Sequence, residues 1–219
     1  MRWFRAPHAM EAAVVPHLRQ SLALAPGRAD ATAERIAALR ARSGSNSTRG
    51  SMTLWELNRL SAPAFVTALG NIFEHSPWVA ERARRKRPFA SIDALHETMV
   101  AAMRSAPATA QISLLRAHPE LAGKAALRGE LTADSALEQS GAGLAQCSAD
   151  ELARLTALNA AYNAKFGFPF ILAVKGYDRP GILGEFARRL ENDHSAEFEE
   201  ALTQIARITR YRLDALLAE

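Results

Sequence analysis

Cysteine is almost absent: the 219 residues contain one, Cys147. A single thiol excludes an internal disulfide and a cysteine-based zinc cluster, and it points to a reducing compartment. Long apolar runs are missing too. No stretch approaches the roughly 18 apolar residues of a membrane-spanning helix. The N-terminus, MRWFRAPHAMEAAVV, lacks the apolar segment and small-residue cleavage site of a secretion signal. The closing Leu217-Ala218-Glu219 is not a peroxisomal address of the SKL type. The expected location is the cytoplasm. Phosphate-binding glycine loops of the GxGxxG or GxxxxGK(S/T) kind, the zinc-helix signature HExxH and the GxSxG nucleophile elbow are all lacking. What remains for chemistry is acid, base and hydrogen-bonding side chains acting on a small substrate.

Positive charge is plentiful but lopsided. The chain has 27 Lys and Arg against 23 Asp and Glu. Residues 1–51 hold 8 Arg, no Lys and 3 acidic residues, which leaves 19 basic and 20 acidic residues for the rest. A near-neutral remainder leaves no electrostatic footprint for nucleic acid. Its one basic cluster, Arg82, Arg84, Arg85, Lys86 and Arg87, falls at a predicted helix end, where cations complement the helix dipole. Alanine and arginine bias, Pro26-Gly27 and the run Ser43-Gly44-Ser45-Asn46-Ser47 mark residues 1–51 as a disordered or dispensable extension. The expected fold begins at Met52, as one domain over 52–219.

From Met52 onward helical periodicity alternates with well-formed stops, and no segment alternates apolar and polar residues over a strand's length. This predicts an all-α, single-domain bundle of about eight helices. Thr53-Leu-Trp-Glu56 is a capping box. Ser61 caps a helix with Phe65, Val66, Leu69, Ile72 and Phe73 on one stripe. Ser76-Pro77 opens another that Pro88 ends, and Ser91 opens one carrying Ile92, Leu95, Met99 and Met103. A helix through Ile112, Leu114 and Leu115 must stop near His118, because Pro119 disfavours helical geometry in the residue before it. Gly123 and Gly129 mark a loop, and 132–147 reads as helix. Ser148-Ala-Asp-Glu151 is a second capping box, for a helix buried through Leu152, Leu155, Leu158, Tyr162 and Phe166 and closed by Gly167. The most apolar run, 168–174 (FPFILAV), is too short for a full helix and should be buried. Helices over about 180–192 and 195–217 complete the chain.

Six histidines compete for a chemical role. His8 and His17 lie in the extension. His75 and His194 flank helix starts, where a ring nitrogen settles local backbone groups, and His96 is expected at a surface or rim. His118 differs: a helix end, a proline and a glycine loop converge on it, and its ordinary pKa lies near neutrality. Glu138 is the second candidate, because Ser135 shares a helix face with Glu138 at i, i+3 and with Gln139 at i, i+4. One face then presents a hydroxyl, an amide and a charge, although such a triplet is equally at home facing solvent.

Several longer motifs, in order, carry a resemblance. Phe73-Glu-His-Ser-Pro-Trp78, His118-Pro-Glu-Leu-Ala-Gly-Lys124, Ser135-x-x-Glu-Gln139 with Ala142-Gly-Leu144, Asn159-x-x-Tyr-x-x-Lys-Phe-Gly-Phe-Pro-Phe170 and Arg212-Leu213 spread over 53–213. Together they resemble the 2-oxo-4-hydroxy-4-carboxy-5-ureidoimidazoline (OHCU) decarboxylases of urate breakdown. The resemblance implies an α-helical, usually dimeric protein that needs neither metal nor organic cofactor and converts OHCU to (S)-allantoin with loss of CO2. It implies His118 as the catalytic histidine, Glu138 as its partner and Arg212 as the active-site arginine, with Arg210 as the competing choice two residues away. It further implies Pro119, the segment Ser135, Ala136, Leu137, Glu138 and Gln139, and the backbone of Phe170, Ile171, Leu172, Ala173 and Val174 as substrate-binding stretches. In these roles His118 gives or takes the proton. Glu138 holds the imidazole in one tautomer or engages the substrate hydroxyl, and Arg212 clamps the substrate through its fork of donors. The rivals are a cofactor-free enzyme for another ureide or ring acid, and a non-catalytic helical adaptor whose apolar 168–174 run forms a partner groove. The adaptor gives His118, Glu138 and Arg212 no reason to converge.

Overall fold

The computed structural model describes residues 52–218, and the expected extension over 1–51 lies outside the described residues. The chain enters through a two-residue strand, β1 (Met52–Thr53). Helix α1 (Leu54–Arg59) starts at Thr53, whose hydroxyl accepts from the Glu56 amide while the Glu56 carboxylate accepts from the Thr53 amide. That reciprocal exchange is the predicted capping box. Ser61 caps α2 (Ala62–Leu69), and Pro77 occupies the first turn of α3 (Pro77–Ala83). Ser76 stands at that N-cap without a side-chain cap bond. A one-turn 3-10 segment, Arg84–Lys86, follows α3. Within the basic cluster Arg87 donates to the Leu60 carbonyl and lies over the Phe65 ring, and Arg82 lies over Trp78. Helix α4 (Ile92–Arg104) buries the predicted stripe of Ile92, Leu95, Met99 and Met103. Helix α5 (Ala108–Arg116) stops short of His118, as Pro119 requires.

The structure departs from expectation where elements are short. A one-turn helix, α6 (Lys124–Leu127), lies between Gly123 and Gly129, where a loop was expected. The predicted helix over 132–147 breaks into α7 (Ala133–Gly141) and a 3-10 turn, Leu144–Gln146, with Gly143 at φ 72° between them. Glycine reaches that left-handed backbone without a Cβ penalty, so the helix ends there at little cost. Helix α8 (Ala149–Phe166) carries the second capping box and closes on Gly167, at φ 76°, whose N–H returns to the Asn163 carbonyl. Helices α9 (Arg179–Leu190) and α10 (His194–Leu216) start on Asp178 and Asp193 caps. These make ten α-helices among the described residues, the short pieces accounting for the excess over about eight. A second two-residue strand, β2 (Leu217–Ala218), runs parallel to β1 and ties the first and last described segments together. No alternation of residues could announce strands so short.

The fold is all-α, and α10 binds it together by packing against both α4 and α8. Tyr162 meets Phe168, Phe170 and Phe186 edge to face, and the 168–174 segment is buried among them without regular structure. His96 is half-buried, in keeping with the rim position expected, and its Nε2–H donates to the Ala206 carbonyl at 2.8 Å, stapling α4 to α10. His194 does settle a backbone group, but a distant one and not one at its own helix start: the Phe166 carbonyl, at 3.2 Å. His75 is exposed, at φ 48°, and settles none among the described residues.

Candidate active site

His118 lies just past the end of α5 with its ring folded back, Nδ1 being 3.1 Å from the Leu114 carbonyl. A carbonyl can only accept, so Nδ1 carries the hydrogen and Nε2 is left with a bare lone pair. Nε2 is buried and has no hydrogen-bond partner among the described residues, and the ring lines a cavity. Burial is the main reason His118 sits at about 4 instead of 6.5. The Leu114 carbonyl and Glu74 favour the cation without overcoming it, and Arg212 and His75 oppose it. At neutral pH His118 is therefore an uncharged base. The tautomer is held by Leu114, not by Glu138, which is engaged elsewhere.

Arg212 projects from α10 and is 6% exposed. Its Nε and Nη2 donate to the two oxygens of Glu138 at 2.7 and 2.9 Å, and Nη1 donates to Glu74 at 2.7 Å. Nη1 and Nη2 also reach the Asn71 carbonyl and the Ser135 hydroxyl, at 3.3 and 3.2 Å. A guanidinium has five N–H groups, so the expected free fork is already full. Burial would lower the pKa of Arg212, but Glu138 and Glu74 outweigh it and raise it. In this geometry Arg212 braces two carboxylates. Arg212 lines the cavity, whereas Arg210 is on the outside, paired with Asp93 and Asp214.

Glu74 is the member of this cluster to which the sequence assigned no role. It is 1% exposed and accepts from Thr132 at 2.7 Å, from Ser135 at 3.0 Å and from Arg212. Burial pushes its pKa up, but the Thr132 hydroxyl and Arg212, helped by His118, bring it below the ordinary carboxylate value. A signal existed: a lone acid directly after Ile72 and Phe73 on a core stripe demands a buried partner. The Ser135 hydroxyl gives its one hydrogen to Glu74, so it can offer the cavity only a lone pair.

The cavity brings together His118, Pro119, Ser135, Glu138, Gln139 and Arg212 with Phe170, Ile171, Leu172 and Val174. The three residues that an adaptor had no reason to collect line one space. Ala136 and Leu137 do not line it, both being exposed on the outer face of α7, Leu137 by 75%. Ala173 gives its N–H to Gln204 instead. The Gln139 amide holds the neighbouring loop, accepting from Ala122 N–H at 2.9 Å and donating to the Glu120 carbonyl at 3.3 Å, and Ala122 takes a φ of 50°.

The depressed pKa of His118 has a stability consequence. Below its ordinary 6.5 the unfolded chain binds a proton that the folded chain refuses until about 4. Stability is therefore highest above 6.5 and falls as pH drops through that window, by on the order of 3 kcal/mol from this residue. Glu74, held low, acts in a lower window. Urea unfolding at about pH 7 and about pH 5 should show roughly two-thirds of that loss in the wild type and a much smaller one in His118→Asn.

An all-α fold encloses an uncharged histidine, two braced carboxylates and an apolar wall around one cleft, an arrangement chemically equipped to move a proton on a small polar molecule. Comparison with known proteins gives that class a family. Residues 58–214 match the family profile described as OHCU decarboxylase. A Haloferax volcanii protein named 2-oxo-4-hydroxy-4-carboxy-5-ureidoimidazoline decarboxylase is 43% identical over 162 residues, covering 74% of this chain and 94% of its own. The uric acid degradation bifunctional protein of Bacillus subtilis is 39% identical over 167 residues, 76% of this chain but 33% of that longer protein. A crystal structure of an OHCU decarboxylase in the presence of (S)-allantoin superposes with a TM-score of 0.57 at 25% identity, over 68% of this chain and 96% of that one. The chain belongs to the OHCU decarboxylase family.

Proposed function

We propose that this chain removes CO2 from OHCU to give (S)-allantoin, as a cytoplasmic homodimer in urate breakdown, with residues 1–51 dispensable for the chemistry. The bare, buried Nε2 of His118 carries this reading. When the carboxylate leaves as CO2, its bonding pair moves into the ring toward the adjacent C=N nitrogen, which takes a proton from water. The enol so formed becomes allantoin when its hydroxyl loses a proton and the carbon bearing the ureido group gains one. An uncharged imidazole suits that transfer, because Nε2 takes the hydroxyl proton and returns it to one face of the ring. In this reading the partly exposed edge of the Glu138 carboxylate accepts a substrate hydroxyl or N–H. The relatives' names support the substrate, while the dimer and the cytoplasm rest on the family resemblance and composition.

The test is freshly generated OHCU, followed by its ultraviolet decay and by the chirality of the product, with the full chain and with a chain starting at Met52. Both should accelerate decay and yield (S)-allantoin in excess. Decay at the spontaneous rate to racemic product would overturn the assignment.

A further inference from the structure

We infer that Arg189 and Gln204 are positioning residues for the decarboxylation: they fix the backbone on either side of Leu172 so that its peptide N–H and C=O are held ready for the amide edge of the substrate. The inference rests on the decarboxylase reading above. The 168–174 segment crosses an aromatic core without regular structure, so each of its buried peptide groups needs an answer from elsewhere. Two are answered by side chains. The Ile171 carbonyl accepts from Arg189 Nη1 at 2.6 Å, and the Ala173 N–H donates to Gln204 Oε1 at 3.0 Å.

Both anchors are themselves locked. Arg189 is fully buried, donates through Nε to Glu197 at 2.8 Å and lies over the Phe170 ring at 4.5 Å. Glu197 in turn accepts from the Tyr162 hydroxyl and from Asn192 at 2.7 Å. Gln204 is 2% exposed and donates to Glu200 at 2.7 Å. A buried ion pair adds little stability over apolar packing of the same volume, so an anchoring duty gives this one a purpose. Between the two tied groups, the N–H and C=O of Leu172 make no hydrogen bond among the described residues, and Leu172 lines the cavity with His118. A fixed peptide donor and acceptor match the N–H and C=O of a ureido group or ring amide, and dry surroundings strengthen the match.

Kinetics on OHCU test the assignment. Gln204→Met keeps the shape and removes the acceptor, and KM should rise roughly tenfold with kcat changed far less. The (S) excess stays, because His118 is untouched. The double variant Glu200→Gln with Gln204→Glu restores an acceptor and exchanges the two partners' roles, and its KM should return to within about threefold of wild type. Arg189→Lys keeps a cation beside Glu197 but loses the fork, and KM should rise again. A folded Gln204→Met or Arg189→Lys with wild-type KM overturns that residue's assignment. A merely structural role would lower Tm and leave KM alone. Amide exchange on the unaltered protein gives a second readout that needs no variant to fold. The Ala173 amide should be protected in the free protein, and the Leu172 amide should become protected only on saturation with (S)-allantoin; an unprotected Ala173 or an unresponsive Leu172 overturns the proposal. Wild-type protein inactive on OHCU would instead remove the decarboxylase reading, and the free-protein exchange result at Ala173 would stand apart from it.

Discussion

Replacing His118 with asparagine lowers kcat by about 10²- to 10⁴-fold, the range of a general acid or base, and erases the (S) excess of the allantoin formed. The substitution is chosen to change chemistry and little else. The Asn side-chain amide keeps an N–H donor for the Leu114 carbonyl, which in the wild type accepts from Nδ1 at 3.1 Å. What it lacks is the basic lone pair that His118 leaves unengaged at Nε2. The fold should survive, since an uncharged polar group replaces another uncharged polar group. The residual reaction is then the spontaneous one, with the proton arriving from water on either face. Stopped ultraviolet traces give the rate, and circular dichroism of the product gives the chirality. An undiminished (S) excess at a reduced rate would mean that another group delivers the proton, with His118 acting only in binding.

The parts of this molecule that were legible in its sequence are the parts that depend on neighbours in the chain. Capping boxes at Thr53 and Ser148, the glycine stop at Gly167 and the halt of α5 before Pro119 are written within a few residues, and each is found where expected. Helix α6 and the break at Gly143 span a turn or less, too short to raise a periodic signal. The cluster around His118 is long-range. Glu74 draws its partners from Thr132, Ser135 and Arg212, separations that no local pattern encodes. Motif resemblance points to Arg212 and Glu138, but only the three-dimensional structure shows that they grip each other and that a main-chain carbonyl holds the histidine. The same holds for Arg189 and Gln204, which resemble ordinary helix residues until their contacts with residues 171 and 173 are seen.

Arg212→Met costs about 3–5 kcal/mol of stability, the usual penalty for removing one partner of a buried pair. The reason is charge balance. Glu74 is 1% exposed and Glu138 sits beside it on the same guanidinium, so methionine leaves a buried carboxylate with only the Thr132 and Ser135 hydroxyls to answer it. For a domain of this size the loss corresponds to a fall in Tm of roughly 6–20 °C. Lysine is no remedy, because one ammonium cannot reproduce the paired bonds to Glu138 and the bond to Glu74 together. Two measurements separate orphaned charge from lost packing. Lowering the pH lets Glu74 protonate in the variant, so the deficit against wild type should shrink toward pH 5. Adding Glu74→Gln to Arg212→Met removes the stranded charge, and thermal unfolding should recover about half of the loss, a coupling that a double-mutant cycle reads directly. Recovery of stability without recovery of activity is the expected pattern, since the Glu138 carboxylate, without Arg212 to brace it, stays loose in the double variant. If neither acid nor Glu74→Gln restores any stability, the cost lies in packing, and the two carboxylates are not held as a charged pair.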